Sequence, residues 1–143
     1  MKSIKIKSNK IKTLILVFIT LFVLTQADVV IGYQATPWVA PEKYQSMANP
    51  VPSSATSIAK GKALFVKNCI DCHGKKGLGD GSKVSFLKTT PADMTTVKFQ
   101  SQSDGSLFYK ISEGRNDMPK GKKDFPDESD RWNLVNYVRT FKQ

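Results

Sequence analysis

The sequence predicts an all-α domain of three to five helices. Apolar residues recur at helical spacing in three separate stretches: Ile58 with Leu64, Phe65 and Val66; Leu107, Phe108 and Ile111; and Leu134, Val138 and Phe141 with Tyr137 beside them. Residues that favour helix ends stand around these stretches, with Thr56 and Asp127 ahead of the first and last and Gly114 behind the second. No alternating strand pattern of useful length and no internal repeat is present.

The chain has 143 residues, room for one domain of ordinary size with a leader and a connecting segment. Its formal charge of +10 suggests a nucleic-acid partner, but the distribution argues otherwise. Lys2, Lys5, Lys7, Lys10 and Lys12 precede the first apolar run with no acidic residue to offset them. Without the first 27 residues, 17 basic and 12 acidic residues remain, a net charge of about +5. A moderate excess of this size suits docking to an acidic protein face better than gripping a duplex.

Elements follow in chain order. The lysine-rich start and the apolar run Leu14 to Leu24 read as the n- and h-regions of a signal peptide, and Thr25-Gln26-Ala27 suits cleavage before Asp28. The competing reading is an uncleaved anchor, because Val29-Val30-Ile31 prolongs the apolar stretch, although Asp28 interrupts it. Either way the chain is expected to be exported, to the periplasm or the outer face of the cytoplasmic membrane. No cysteine lies near the leader to carry a lipid. Residues 28–56 hold Pro37, Pro41, Pro50 and Pro52 among small and polar residues and read as a tether. Trp38, Tyr44 and Met47 are its large side chains, suited to packing on the domain or on a partner.

The domain proper is expected over 57–143. Its first helix opens near Thr56 and runs into Cys69, and a glycine-rich loop follows from Gly74 to Gly81. A second helix is expected from Ser103 to Glu113, ended by Gly114 at the position where a left-handed cap is common. The last opens near Asp127, with Glu128 and Asp130 in the first turn, where the helix dipole favours negative charge.

Chemistry is concentrated in one pentapeptide. Both cysteines and the only histidine fall in Cys69-Ile70-Asp71-Cys72-His73, the C-x-x-C-H pattern of covalent c-type haem attachment. Two thiols about one helical turn apart can each add to one of the porphyrin's two vinyl groups, and the next residue then presents its imidazole to the iron. A thiol–disulfide redox site would want a βαβ context that is missing. A zinc site would need a fourth ligand, and no further Cys or His exists. The expected cofactor is therefore one haem c, held by Cys69 and Cys72, with His73 as an axial ligand.

With no second histidine, the other axial position falls to methionine, to another weak donor, or stays open. Met47 precedes the domain; Met94 lies 21 residues beyond His73, and Met118 lies 45 beyond it in Gly114-Arg115-Asn116-Asp117-Met118-Pro119. Met118 is the better placed, in a loop between two helices and biased towards extended backbone by Pro119. Met94 suits packing beside the ring. Histidine–methionine ligation raises the potential and favours electron transfer over oxygen chemistry.

On these residues the chain resembles the class I cytochrome c family over roughly residues 57–142. Gly61, Phe65 and Cys69 are similar to the family's first helix, and Leu134 and Tyr137 to last-helix positions that cross it at the glycine. The resemblance implies a cytochrome c-like fold wrapped on the haem, whose burial supplies much of the core of so small a domain. It also implies that Pro91 offers its carbonyl to the ring N–H of His73, a contact that orients the imidazole and tunes the iron. The loop from His73 to Pro91 is longer than in the shortest family members. Gly77-Leu78-Gly79-Asp80-Gly81, the stretch Asp104 to Ile111 and the stretch Arg131 to Arg139 resemble bacterial monohaem cytochromes, including cytochrome subunits of quinol-oxidising complexes such as alternative complex III.

Lys75, Lys76, Lys120, Lys122 and Lys123 are expected in loops beside the haem edge, either as a docking surface for acidic redox partners or as plain solvated charge. Trp132 and Arg115 are candidates for hydrogen bonds to haem propionates, with helix packing and surface charge the plainer readings. The expected function is one-electron transfer without substrate transformation, with no nucleic-acid partner and no small-molecule substrate. The alternatives are a fixed haem subunit of a larger membrane oxidoreductase and a five-coordinate gas-binding haem.

Overall fold

Ser54, in extended backbone, starts the longest helix by accepting a hydrogen bond from the Ser57 amide (3.1 Å). The cap is thus Ser54, and the expected Thr56 lies inside the first turn. The computed structural model in which this is seen describes residues 37–142. The leader expected over 1–27 and the first residues of the tether lie outside the described residues.

The described residues form α1 (Glu42–Gln45), α2 (Ala55–Asn68), α3 (Ile70–His73), α4 (Val97–Gln100), α5 (Asp104–Glu113), α6 (Gly121–Asp124) and α7 (Glu128–Arg139), with a 3-10 turn at Val84–Phe86 and no strand. The described residues are all-α, as the sequence predicts. Three helices have ten residues or more, and the other four are single turns of four residues. From Trp38 onward the chain forms one compact unit.

α2 and α7 carry the core. The buried face of α2 is Ser57, Gly61 and Phe65, while Val66 is 49% exposed. Of the apolar stripe expected there, Phe65 is buried and Ile58 and Leu64 pack against the core, whereas Val66 turns outward; the closest approach to α7 is made by the small residues. A Cβ on Gly61 would lie 2.0 Å from the Asn133 carbonyl oxygen and 2.8 Å from Tyr137 Cβ. Only glycine permits that crossing, and it offsets the glycine's helix penalty. Beyond it Phe65, Tyr137 and Phe141 meet pairwise with ring centroids 5.1–5.3 Å apart. Tilted and edge-on aromatic pairs at these distances add to the burial term.

α7 starts as expected. The Asp127 carboxylate caps it by accepting from the Ser129 amide (2.8 Å), and Arg131 to Val138 are all buried. α5 begins behind Ser103, whose hydroxyl accepts from the Ser106 amide (3.2 Å), and ends at Gly114 with φ +60°. It packs Leu107 and Phe108 inward, with Phe108 stacked on Trp132 at 4.0 Å. Arg139 at the end of α7 locks α5 in place through Asp104 (2.6 Å) and the carbonyls of Gln100 and Gln102 (2.8 and 2.6 Å).

The Pro-containing segment ahead of α2 lies along the same frame. The Tyr44 ring meets that of Tyr109 at a tilt, centroids 4.9 Å apart, and the Tyr44 carbonyl lies against Gly105 of α5. Asn49 donates to the Asn136 side chain (2.9 Å), and Asn136 in turn donates to the Val51 carbonyl (3.1 Å) and Ser57 Oγ (2.6 Å). Among the described residues no helix is long and apolar enough to cross a membrane.

Candidate functional site

The C-x-x-C-H pentapeptide sits where one helix stops and another starts. Cys69 donates its amide to the Phe65 carbonyl (2.8 Å), so it still belongs to the last turn of α2, and its φ of −119° then turns the chain into α3. The amides of Cys72 and His73 both return to the Cys69 carbonyl (3.2 and 2.8 Å). One tight turn thereby holds both thiols and the imidazole together. Both cysteines are free and half-buried. Burial, helped by neighbouring Cys72, pushes the Cys69 thiol up to about 12. It is a neutral thiol, opposite in sense to the activated thiolate of a redox C-x-x-C site.

His73 is held from behind by Phe65, ring centroids 6.5 Å apart. Burial pushes the imidazole below its ordinary value, which keeps it neutral, the form able to ligate a metal. Its Nδ1 is buried and makes no hydrogen bond. An orphaned ring nitrogen of this kind asks for an explanation in any buried site.

The glycine-rich loop folds straight back over the pentapeptide. Gly79, Gly81 and Lys83 donate to the carbonyls of His73 (2.9 Å), Cys72 (3.2 Å) and Asp71 (2.8 Å), and Lys83 pairs with the Asp71 carboxylate at 2.8 Å. Gly79 has φ +77°, and a Cβ there would lie 2.4 Å from the Pro91 carbonyl oxygen. Left-handed backbone and close approach both demand glycine at that point. Through Gly79 the Pro91 carbonyl is brought beside the residue that hydrogen-bonds His73, although the expected bond from His73 Nδ1 to Pro91 is not made in this arrangement. Met94 follows, its amide on the Gly77 carbonyl (2.7 Å) and its side chain 6% exposed within the core.

Met118 lies in the connection from α5 to α6. Arg115 and Met118 exchange backbone hydrogen bonds (both 3.0 Å) around a reverse turn with Asn116 at φ +54°. Met118 is half-buried, at the foot of that turn rather than in a helix.

Residues 56–138 match the family model described as cytochrome c oxidase, cbb3-type, subunit III. The chain belongs to this cytochrome c family. Its domain is thus an electron-transfer domain of the c-type, and its cofactor is haem c. Among solved structures it is similar to a chain of the Kuenenia stuttgartiensis reducing HAO-like protein complex Kustc0457/Kustc0458, at 29% identity and a TM-score of 0.60. That likeness covers 66% of this chain but 47% of the other, so this cytochrome spans about half that protein's length. It is also similar to the KustC0563 c-type cytochrome, at 26% identity over 58% of this chain and 98% of that one, with a TM-score of 0.48. No curated protein matches.

The remaining expected site residues of this cytochrome fall in two groups. Lys75, Lys76, Lys120, Lys122 and Lys123 are all exposed, and Lys122 pairs with Glu113 at 2.7 Å. Trp132 is 3% exposed, its face taken by Phe108, and the Arg115 guanidinium lies 5.3 Å over the Trp38 ring. Lys110 approaches the same ring at 5.6 Å, so Trp38 carries two cations. Sequence reasoning passed over Asp117. Its Oδ2 accepts from the amides of Lys88 (2.9 Å) and Thr89 (3.0 Å) and from Thr89 Oγ1 (3.0 Å). Desolvation alone would raise its carboxyl; the hydrogen bonds from Thr89 and Lys88 outweigh it and hold the group below the usual carboxylate range. An Asp next to Met in a glycine-containing loop was the only available signal, and it reads equally well as a turn residue.

Proposed function

We propose that this cytochrome shuttles single electrons through one haem, attached covalently at Cys69 and Cys72 and ligated by His73 and Met118. The haem supplies an iron that alternates between two oxidation states. The protein's residues supply attachment, ligands and surroundings. The observation that carries the reading is the tight turn holding both thiols beside an imidazole whose Nδ1 is buried without a partner. A ring held by iron at one nitrogen needs an acceptor at the other, and Pro91, whose carbonyl stands against Gly79, is the acceptor assigned to it. The neutral state of both Cys69 and His73 fits thioether formation and metal ligation better than acid–base or thiolate chemistry. Trp132 and Arg115 are carried as propionate contacts in the same reading.

The chain works outside the cytoplasm, with 1–27 as a signal peptide or anchor and 28–56 as a tether whose second half lies against the domain of 57–143. The exposed lysines, Lys75, Lys76, Lys120 and Lys123 among them, suit redox partners with acidic faces. A second reading, a fixed haem subunit of a larger oxidoreductase, is favoured by the family's description as an oxidase subunit and by the likeness to a chain of a protein complex. A free carrier leaves the membrane fraction in a salt wash; a subunit co-purifies with its complex.

The intact mass of the native protein tests attachment directly: it should exceed the processed polypeptide by one haem, and the N-terminus fixes the cleavage point. Met118→Ala should abolish the weak charge-transfer band at about 700 nm that methionine ligation gives. Survival of that band, or rapid carbon monoxide binding by the reduced wild-type protein, overturns the assignment of Met118.

A further inference from the structure

Asp117 joins two loops of the chain through its side chain. Its carboxylate lies next to Met118, and its three donors come from Lys88 and Thr89, 28–29 residues earlier in the chain. Thr89 stands two residues before Pro91, in irregular backbone between the 3-10 turn and α4. One backbone bridge closes the Met118 turn on itself, the Arg115 guanidinium lies 5.3 Å over the Trp38 ring, and Asn116 and Pro119 are exposed. A carboxylate that accepts three converging donors is a charge-assisted set, each bond roughly twice as strong as a neutral one.

We propose that Asp117 is a positioning residue that clasps the Met118 loop to the Pro91 strand of chain and sets how long Met118 stays on the iron. The inference rests on the reading of Met118 as axial ligand. Methionine leaves the iron only when its loop swings out, so every contact that must break first lengthens the lifetime of the bond. Lys88 and Thr89 provide those contacts on the same stretch that ends at Pro91, so the clasp ties the supports of both axial ligands together.

The test uses the matured, full-length ferric protein and its displacement by excess imidazole, followed in a stopped-flow instrument at concentrations where the rate no longer depends on imidazole and reports loop opening. Asp117→Ala should speed opening by about tenfold, the size of one net charge-assisted hydrogen bond. Thr89→Val removes the hydroxyl but keeps both amide donors and should speed it by about two- to threefold. Asp117→Asn keeps an oxygen acceptor and should recover part of the loss. Global unfolding in denaturant, measured in parallel, should move far less than the opening rate, which a merely structural role would not produce. If Asp117→Ala fails to mature, Thr89→Val and Asp117→Asn carry the test. Opening rates equal to wild type in these variants, with the band at about 700 nm present in wild type, overturn the clasp and leave methionine ligation standing. A wild-type protein without that band overturns the ligation and the clasp with it.

Discussion

The two halves of the candidate site are held in different ways. Cys69, Cys72 and His73 ride on the end of α2, which is locked to α7 by the Gly61 crossing and by the Phe65–Tyr137–Phe141 ring cluster. Met118 rides on a turn held by backbone and carboxylate hydrogen bonds at the surface. Packed apolar contacts are numerous and lost only together, whereas a few solvent-facing hydrogen bonds open locally at small cost. The difference teaches that stability and ligand exchange should respond to different residues. In the proposed ligation, a histidine side built into the core cannot leave without unfolding, whereas a methionine side on a surface turn can.

Changes to the frame should produce the largest effects. Gly61→Val drives a branched side chain into the Asn133 carbonyl, and we expect a loss of about 3 kcal/mol or more in denaturant unfolding of the holoprotein. Whatever fraction still folds should keep the proposed methionine ligation, because Met118 lies elsewhere. A variant that lost ligation without losing stability would break the comparison. Asn136→Ala should cost about 1–3 kcal/mol, since it strips partners from Asn49, Val51 and buried Ser57 and loosens the segment ahead of α2. Limited proteolysis should then cut first within residues 38–53.

The smallest effect belongs to the surface pair of Lys122 and Glu113. The Lys122 ammonium holds the Glu113 carboxyl below its ordinary range, so its contribution is present above the normal Glu titration and disappears as pH falls through the lowered value. Both side chains are substantially exposed, so Lys122→Ala should cost about 0.5 kcal/mol or less near neutral pH. That difference should vanish in acid and shrink in salt. A larger, salt-insensitive loss would mean that α6 carries more of the Met118 connection than its single turn suggests.

Motifs and helix ends were legible from residue order because they depend on local geometry. Two thiols and an imidazole within five residues define their own chemistry, and Ser103, Asp127 and Gly114 mark helix ends by what their side chains or left-handed backbone can do nearby. The four single-turn helices were not legible, since four residues are too few to show a period. On α2 the crossing at Gly61 was legible through the resemblance, but the burial of Ser57 and the exposure of Val66 were not, because hydrophobicity does not flag a small polar residue. Only the tertiary structure brought Asp117 to Lys88 and Thr89, turned Gly79 against Pro91, and left His73 Nδ1 buried without a partner. Each of these joins residues far apart in the chain or removes water from a polar atom, and neither event leaves a trace in the order of neighbouring residues.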